Sequence, residues 1–337
     1  MIALLSVVLS LGATNPAAAS DKTITPEHFA AAAAYSRRHG GLAVRVEVGG
    51  KLVAEEGENG FSASSAHKIY SGTKSFVAVA AIVAQKEGLL TLDEKASDTL
   101  TEWRSDRRRS ITIDELLSHT SGLDPDLGRL YPYRDQFAAA VRVPLIDTPG
   151  ARFHYGGVNY QAFGEILRRK LRARHQNVED FIRDQVIDPL DIDVDSWKRD
   201  DAGNALVHSG LLLTAAEWAK FGVYINKLRT GGTHPEYAGL FAGHEANPAY
   251  GLGFWLNRPP PGTQPIRILE LAIDGDQLYP GGPRDLIAAI GSGHQMLYMI
   301  PSLDLVVVRF ADGARFSDGD FLSRLLTGKP HPDARSH

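Results

Sequence analysis

Segments that alternate like β-strands stand at the two ends of this chain, and helical signals fill its middle. Near the N-terminus, Leu42-Ala43-Val44-Arg45-Val46-Glu47-Val48 alternates at period two. Gly49-Gly50 then supplies the two positive-φ positions of a tight hairpin into Lys51-Leu52-Val53-Ala54-Glu55. Near the C-terminus, short apolar runs over 253–256, 286–290, 296–300 and 305–310 read as further strands. Two sets of short strands so far apart in sequence fit one arrangement best. They form a single antiparallel sheet built from both chain ends, with helices against it. The class is therefore α/β in the α+β sense, with an α/β lobe from about 20–90 and 246–337 and a mainly helical lobe from about 91–245.

The helices announce themselves by their ends. Thr25-Pro26 gives an N-cap and a proline at the first helical position, and Gly40-Gly41 closes that helix. Thr112-Ile113-Asp114-Glu115 is a capping box whose helix stops at Gly122, and Thr214-Ala215-Ala216-Glu217 is a second one. The latter opens a helix carrying Trp218, Phe221 and Ile225 on one face. Further helices cover 159–171 and 177–186, the second stopped before Pro189, and a last one covers about 317–327. At 337 residues and 43% hydrophobic, the chain can bury one large domain or two closely packed lobes.

Charge and cysteine content narrow the function classes. A net charge of −4, mixed along the chain, gives no reason to expect nucleic acid as a partner. The Arg107-Arg108-Arg109 run and the basic series from Arg168 to Arg174 read as solvated faces. There is no cysteine, so neither a disulfide nor a lipoprotein anchor is possible. Residues 2–11 are almost wholly apolar, and Ala17-Ala18-Ala19 precedes polar Ser20-Asp21-Lys22. That is the pattern of a secretory signal over 1–19, cut near Ala19, although no Lys or Arg stands near Met1. The expected product is a secreted or periplasmic protein of residues 20–337 with no membrane anchor once the signal is removed.

The chemistry concentrates at Tyr70-Ser71-Gly72-Thr73-Lys74, which runs into an apolar helix ending at Gly88. Residues three apart on a helix share a face. Lys74 can thus reach the Ser71 hydroxyl and, if desolvated and neutral, draw off its proton. The same spacing occurs at Ser65-Ala66-His67-Lys68, but in a polar, Ser-rich stretch rather than at the mouth of a buried helix. A serine at a helix N-terminus also meets unpaired N–H groups that favour a developing oxyanion.

A catalytic serine needs a second proton handler and an oxyanion hole. Phe153-His154-Tyr155-Gly156-Gly157 ends a turn just before a helix, so Tyr155 is the candidate proton shuttle; the alternative is a core tyrosine. Gly291-Ser292-Gly293-His294-Gln295 lies between two strands. The N–H of Gln295, with that of Ser71, is the expected hole. Ser292, Gly293, His294, Gly157 and Trp255 are candidate substrate contacts. His119 and Ser121 read as fixing the turn after their helix, and Tyr131 and Tyr133 as pocket or packing residues. The twelve histidines have no metal-site spacing.

These segments, in this order, resemble the serine β-lactamase and penicillin-binding superfamily. Ser71-Gly72-Thr73-Lys74 looks like its first motif, and Leu116-Leu117-Ser118-His119-Thr120-Ser121-Gly122-Leu123 resembles a run of its class C-like branch. Tyr155, Ser209-Gly210-Leu211, Tyr250-Gly251-Leu252-Gly253-Phe254-Trp255, and Gly291 through Val308 follow in sequence. The resemblance implies the β-lactamase fold, with Ser71 as nucleophile, Lys74 as its base partner, Tyr155 as the second-motif tyrosine, an acyl-enzyme, and no metal or cofactor. The branch holds class C β-lactamases, D-amino-acid peptidases, carboxylesterases and 6-aminohexanoate-dimer hydrolases.

Two departures shape the expected function. Gly157 stands where the second motif usually has asparagine, and Asn159 comes two residues late. No Lys-Thr-Gly occurs, and alignment puts Ser292-Gly293-His294 at the third motif, so the cation that would hold an anionic substrate is missing. A charge-assisted contact of that kind is worth about 1.5–3 kcal/mol. The expectation is therefore an esterase or amidase acting on a small ester, amide or short peptide. The alternatives are a β-lactamase or D-stereospecific peptidase, or a non-catalytic binding protein on the same fold.

Overall fold

The computed structural model of the protein describes residues 24–230, 232–259, 277–313 and 315–332. The expected signal over 1–19 and the centre of the 257–284 loop lie outside them.

Helix α1 (Pro26–Arg38) starts where the Thr25 hydroxyl accepts from the His28 N–H. It ends ahead of Gly40, whose φ of 68° turns the chain into strand β1 (Gly41–Val48). Gly49 and Gly50, at φ 60° and 70°, make the hairpin to β2 (Lys51–Gly57). The short strand β3 (His67–Lys68) leads through a tight 3₁₀ turn, Tyr70–Gly72, into α2 (Thr73–Lys86). Residues Thr73 through Ile82 of α2 are all buried, and Gly88 at φ 68° closes the helix.

The helical middle then holds α3 (Ala96–Thr99), α4 (Ile113–Leu117), α5 (Gln136–Ala140), α6 (Val158–Leu171) and α7 (Val178–Ile182). Both halves of the Thr112/Glu115 capping box form at α4. Two short strands, β4 (Ser196–Trp197) and β5 (Leu211–Leu213), join β3 in a three-stranded sheet. Helix α8 (Ala215–Arg229) follows. Its expected capping box is only half present. Thr214 caps Glu217 N–H, but the Glu217 carboxylate turns instead to the Asp193 N–H and the Lys220 ammonium.

The chain closes with β6 (Trp255–Leu256), β7 (Ile287–Gly291), β8 (Gln295–Ile300), β9 (Leu305–Ala311) and α9 (Asp318–Thr327). Gly253 and Phe254 stay outside β6, because Gly253, at φ 76°, packs its backbone onto the first turn of α2. The main sheet runs β2-β1-β9-β8-β7-β6 and every pairing is antiparallel. It is built from both chain ends, as the alternating segments imply.

Alternate residues of each strand feed two cores. One face packs Val44, Val46, Tyr298 and Val307 against Tyr35, Phe321 and Leu325 of α1 and α9. The other packs Leu297, Met299, Val306 and Val308 against α8 and α2. Gly222 lets α8 come this close, since a Cβ there would stand 2.7 Å from Val306 Cγ1. Phe76 of α2 stacks on Phe221 of α8 with centroids 3.8 Å apart. Helix α2 is thereby fixed to the sheet by apolar burial.

Candidate active site

The short turn before α2 presents Ser71. Tyr70 sits at φ 44°, a left-handed conformation that costs a non-glycine residue energy and persists only where its surroundings impose it. Gly72 is tight against Trp218, whose Cζ2 lies 2.6 Å from where a Cβ would be. These constraints hold the serine partly exposed while the next residues dive into the core.

Lys74 lies one turn on and is 2% exposed. Its Nζ stands 2.9 Å from Ser71 Oγ and 2.9 Å from the His208 carbonyl oxygen. The rings of Tyr155 and Tyr160 flank it, with centroids at 4.9 and 5.7 Å. Burial alone pulls the Lys74 amine down from 10.5 to about 7, so a large share is neutral near neutral pH. Tyr155 moves the other way. Burial pushes its phenol up to about 12, against the opposing effect of its hydrogen bond with the Ser71 hydroxyl. One hydroxyl thus stands between a group able to take a proton and a group able to give one.

The surroundings of this trio are aromatic. Trp255 lies 5.6 Å from Tyr155 between ring centroids, and Phe153 and Tyr250 complete the cluster. His119, buried and at φ 62°, packs its ring 4.5 Å from that of Tyr155. Asn159 does not reach Lys74's hydrogen-bonding groups. Its amide pairs with the Ser121 hydroxyl and with His119 Nδ1, so it braces the turn beneath Tyr155. His119 and Ser121 have the turn-fixing role read from the sequence.

The structure places the glycine loop differently from the alignment. Gly291, at the end of β7, makes the close approach to the serine turn, since a Cβ there would sit 2.1 Å from the Ile69 carbonyl oxygen. Gly293, by contrast, faces Gln295 and Ala311 rather than this turn. His294 packs against Phe316, and its carbonyl accepts from Arg309. Gln295 begins β8, between β7 and β9, and its N–H belongs to the interior of the sheet. Its side-chain amide donates to the Ser292, Gly293 and Ala311 carbonyls, stapling the turn.

His208 was not among the residues singled out by sequence. It stands immediately before Ser209-Gly210-Leu211, and that adjacency to a recognised motif was the available signal. Its ring is buried, and burial with the nearby Lys74 pulls it down to about 3, so it is neutral.

The fold and this arrangement define a serine hydrolase architecture, and comparison agrees. The Beta-lactamase family model matches residues 26–326, so the chain belongs to the β-lactamase family, within the serine β-lactamase and penicillin-binding protein superfamily. No curated protein matches the chain. Among solved structures, a class C β-lactamase from Rhodobacter sphaeroides is similar at TM-score 0.65 and 15% identity, over 90% of this chain and 99% of that one. EstCE1, a hydrolase with promiscuous acyltransferase activity, is similar at TM-score 0.65 and 15% identity over 89% and 97%. The octameric penicillin-binding protein homologue from Pyrococcus abyssi gives 0.63 and 19% over 90% and 77%. At these identities the likeness is one of fold.

Proposed function

We propose that the chain is an exported serine hydrolase that cleaves an ester or amide through an acyl-enzyme on Ser71. The observation that carries this reading is Lys74 held 2.9 Å from Ser71 Oγ with its amine pulled down to about 7. Ser71 Oγ attacks the carbonyl carbon while its proton passes to Lys74 Nζ. The resulting oxyanion is bound by the Ser71 N–H and by an N–H at the end of β7. Gly291, the last residue of β7, and Ser292, which opens the turn after it, are the candidates for that N–H, in place of Gln295 one strand further in. Collapse of the intermediate breaks the bond to the leaving group, which takes the Tyr155 phenol proton, and Tyr155 is reprotonated from Lys74. Water then attacks the acyl-enzyme, giving up its proton by the same route in reverse, and the acid is released.

The preference for uncharged acyl groups rests on Ala289. With Gly291, which meets the serine turn, taken as the last residue of the third motif in place of His294, Ala289 falls where that motif usually offers a cation. Purified protein is to be incubated with a fluorophosphonate probe, a short-chain p-nitrophenyl ester and a chromogenic cephalosporin, beside Ser71→Ala. The expected result is labelling and ester turnover that vanish in Ser71→Ala, with slow cephalosporin turnover. Absence of both labelling and turnover would establish a non-catalytic protein. Fast cephalosporin turnover would make it a β-lactamase.

A further inference from the structure

Gly157 and His208 form a size exchange beside Lys74. A Cβ on Gly157 would lie 2.6 Å from His208 Cδ2, 2.9 Å from its Cγ and 2.5 Å from Leu127 Cδ2. The volume that any side chain at position 157 would enter is therefore filled by the imidazole from the far side of the cleft. The backbone that carries that imidazole is anchored. The His208 carbonyl accepts from Lys74 Nζ at 2.9 Å, and the Leu211 N–H donates to the Thr73 hydroxyl at 3.1 Å. The Ile69 N–H donates to the Leu211 carbonyl at 3.1 Å, so the 208–211 segment is bound to the serine turn on both sides of Ser71.

We infer that His208 is a positioning residue: its ring, seated against Gly157, is the wall that keeps water from Lys74 and holds the amine on Ser71. The inference rests on the proposed acyl-enzyme chemistry. Among the described residues, the other side chains that face the amine are uncharged at neutral pH. These are the phenols of Tyr155 before α6 and Tyr160 on α6, the neutral imidazole of His119 after α4, and the Ser71 hydroxyl. The lowering of the Lys74 amine comes from burial, with no carboxylate beside it among the described residues to offset the effect. The amine's basicity is then set by how completely its surroundings exclude water, and the wall at 157/208 is one of the surfaces that does so. His208 Nδ1 is buried without a hydrogen-bond partner, a cost consistent with a ring retained for its shape and neutrality at this place.

The test follows fluorophosphonate labelling of Ser71, and separately kcat/KM on a p-nitrophenyl ester, across pH 5 to 10. His208→Ala opens the wall to water. The acid limb of both profiles should move up by about one pH unit, with kcat/KM at neutral pH falling roughly tenfold or more as the amine loses its fixed place. Gly157→Asn alone should clash and lose thermal stability. The pair Gly157→Asn/His208→Ala should recover both stability and the wild-type limb, because the volume is refilled from the opposite side. Limbs that superimpose for wild type and His208→Ala overturn the inference, and so does a double variant no better than Gly157→Asn alone. If His208→Ala does not fold, the comparison of the double variant with Gly157→Asn decides the matter by itself. Wild-type protein that neither labels nor turns over ester refutes the proposed function instead, so the two failures are distinguishable.

Discussion

Lys74 places a cost and a function on the same atom. A folded-state amine pulled to about 7 from 10.5 binds fewer protons than the unfolded chain between those two values. Stability contributed by this group therefore rises with pH across that window, and the full penalty is present below about 7. Lys74→Met should thus raise stability by a few kcal/mol at pH 6, with a much smaller gain at pH 10, while abolishing ester turnover. Chemical denaturation at both pH values measures this. A gain that does not change with pH would show that the amine is not desolvated. Activity carries the opposite face of the same number. With Lys74 as the base, kcat/KM should climb with pH through about 7. At this scale the serine and lysine were legible, because a fixed helical spacing converts directly into proximity. His208 was not, because its contact with Lys74 runs through a backbone carbonyl, which no residue type announces.

At the scale of elements, the site is a junction of the serine turn with the free end of β7. Gly291 governs that junction, and its backbone φ is an ordinary one, so the demand for glycine is purely steric. Gly291→Ala forces a Cβ into the Ile69 carbonyl, and β7 must move away from Ser71. We expect kcat/KM to fall by about a hundredfold, as expected for a misplacement near 1 Å, with a smaller effect on ester KM; equal losses in an unrelated stability assay and in turnover would remove this reading. Sequence spacing found the glycine loop but not which glycine touches the serine turn. Two glycines, Gly291 and Gly293, lie within three residues there, and only the approach of another segment distinguishes them. The second capping box failed for a related reason. A carboxylate at the third helical position caps only if nothing better is near, and Asp193 N–H and Lys220 were nearer.

For the molecule as a whole, the sheet order was readable because alternation and turn residues are local signals, and two distant sets of short strands have few ways to combine. What alternation does not encode is how the halves are locked. Arg309 on β9 is fully buried; its guanidinium donates to the Ser36 hydroxyl and to the His39 and His294 carbonyls, and lies 3.7 Å from the Phe316 ring. Ser36 in turn donates to the Glu58 carboxylate. One residue therefore ties α1, the end of β2, β9 and the turn that follows Gly291. Arg309→Ala should cost about 3–5 kcal/mol by leaving the buried His39 and His294 carbonyls without this donor and Glu58 without its nearby cation, and a double-mutant cycle with Glu58→Gln should show coupling. Additive losses at the two positions would mean the network is not one unit.

Strand β9 lies between β1 and β8, so the middle of the sheet is the last strand to be made. Everything synthesised before it, Ser71 and Lys74 included, has only a partial sheet to fold upon. Removing the residues from 305 onward would then delete the keystone rather than trim an edge, and the Ser71–Lys74 pair depends on a strand encoded more than two hundred residues after it.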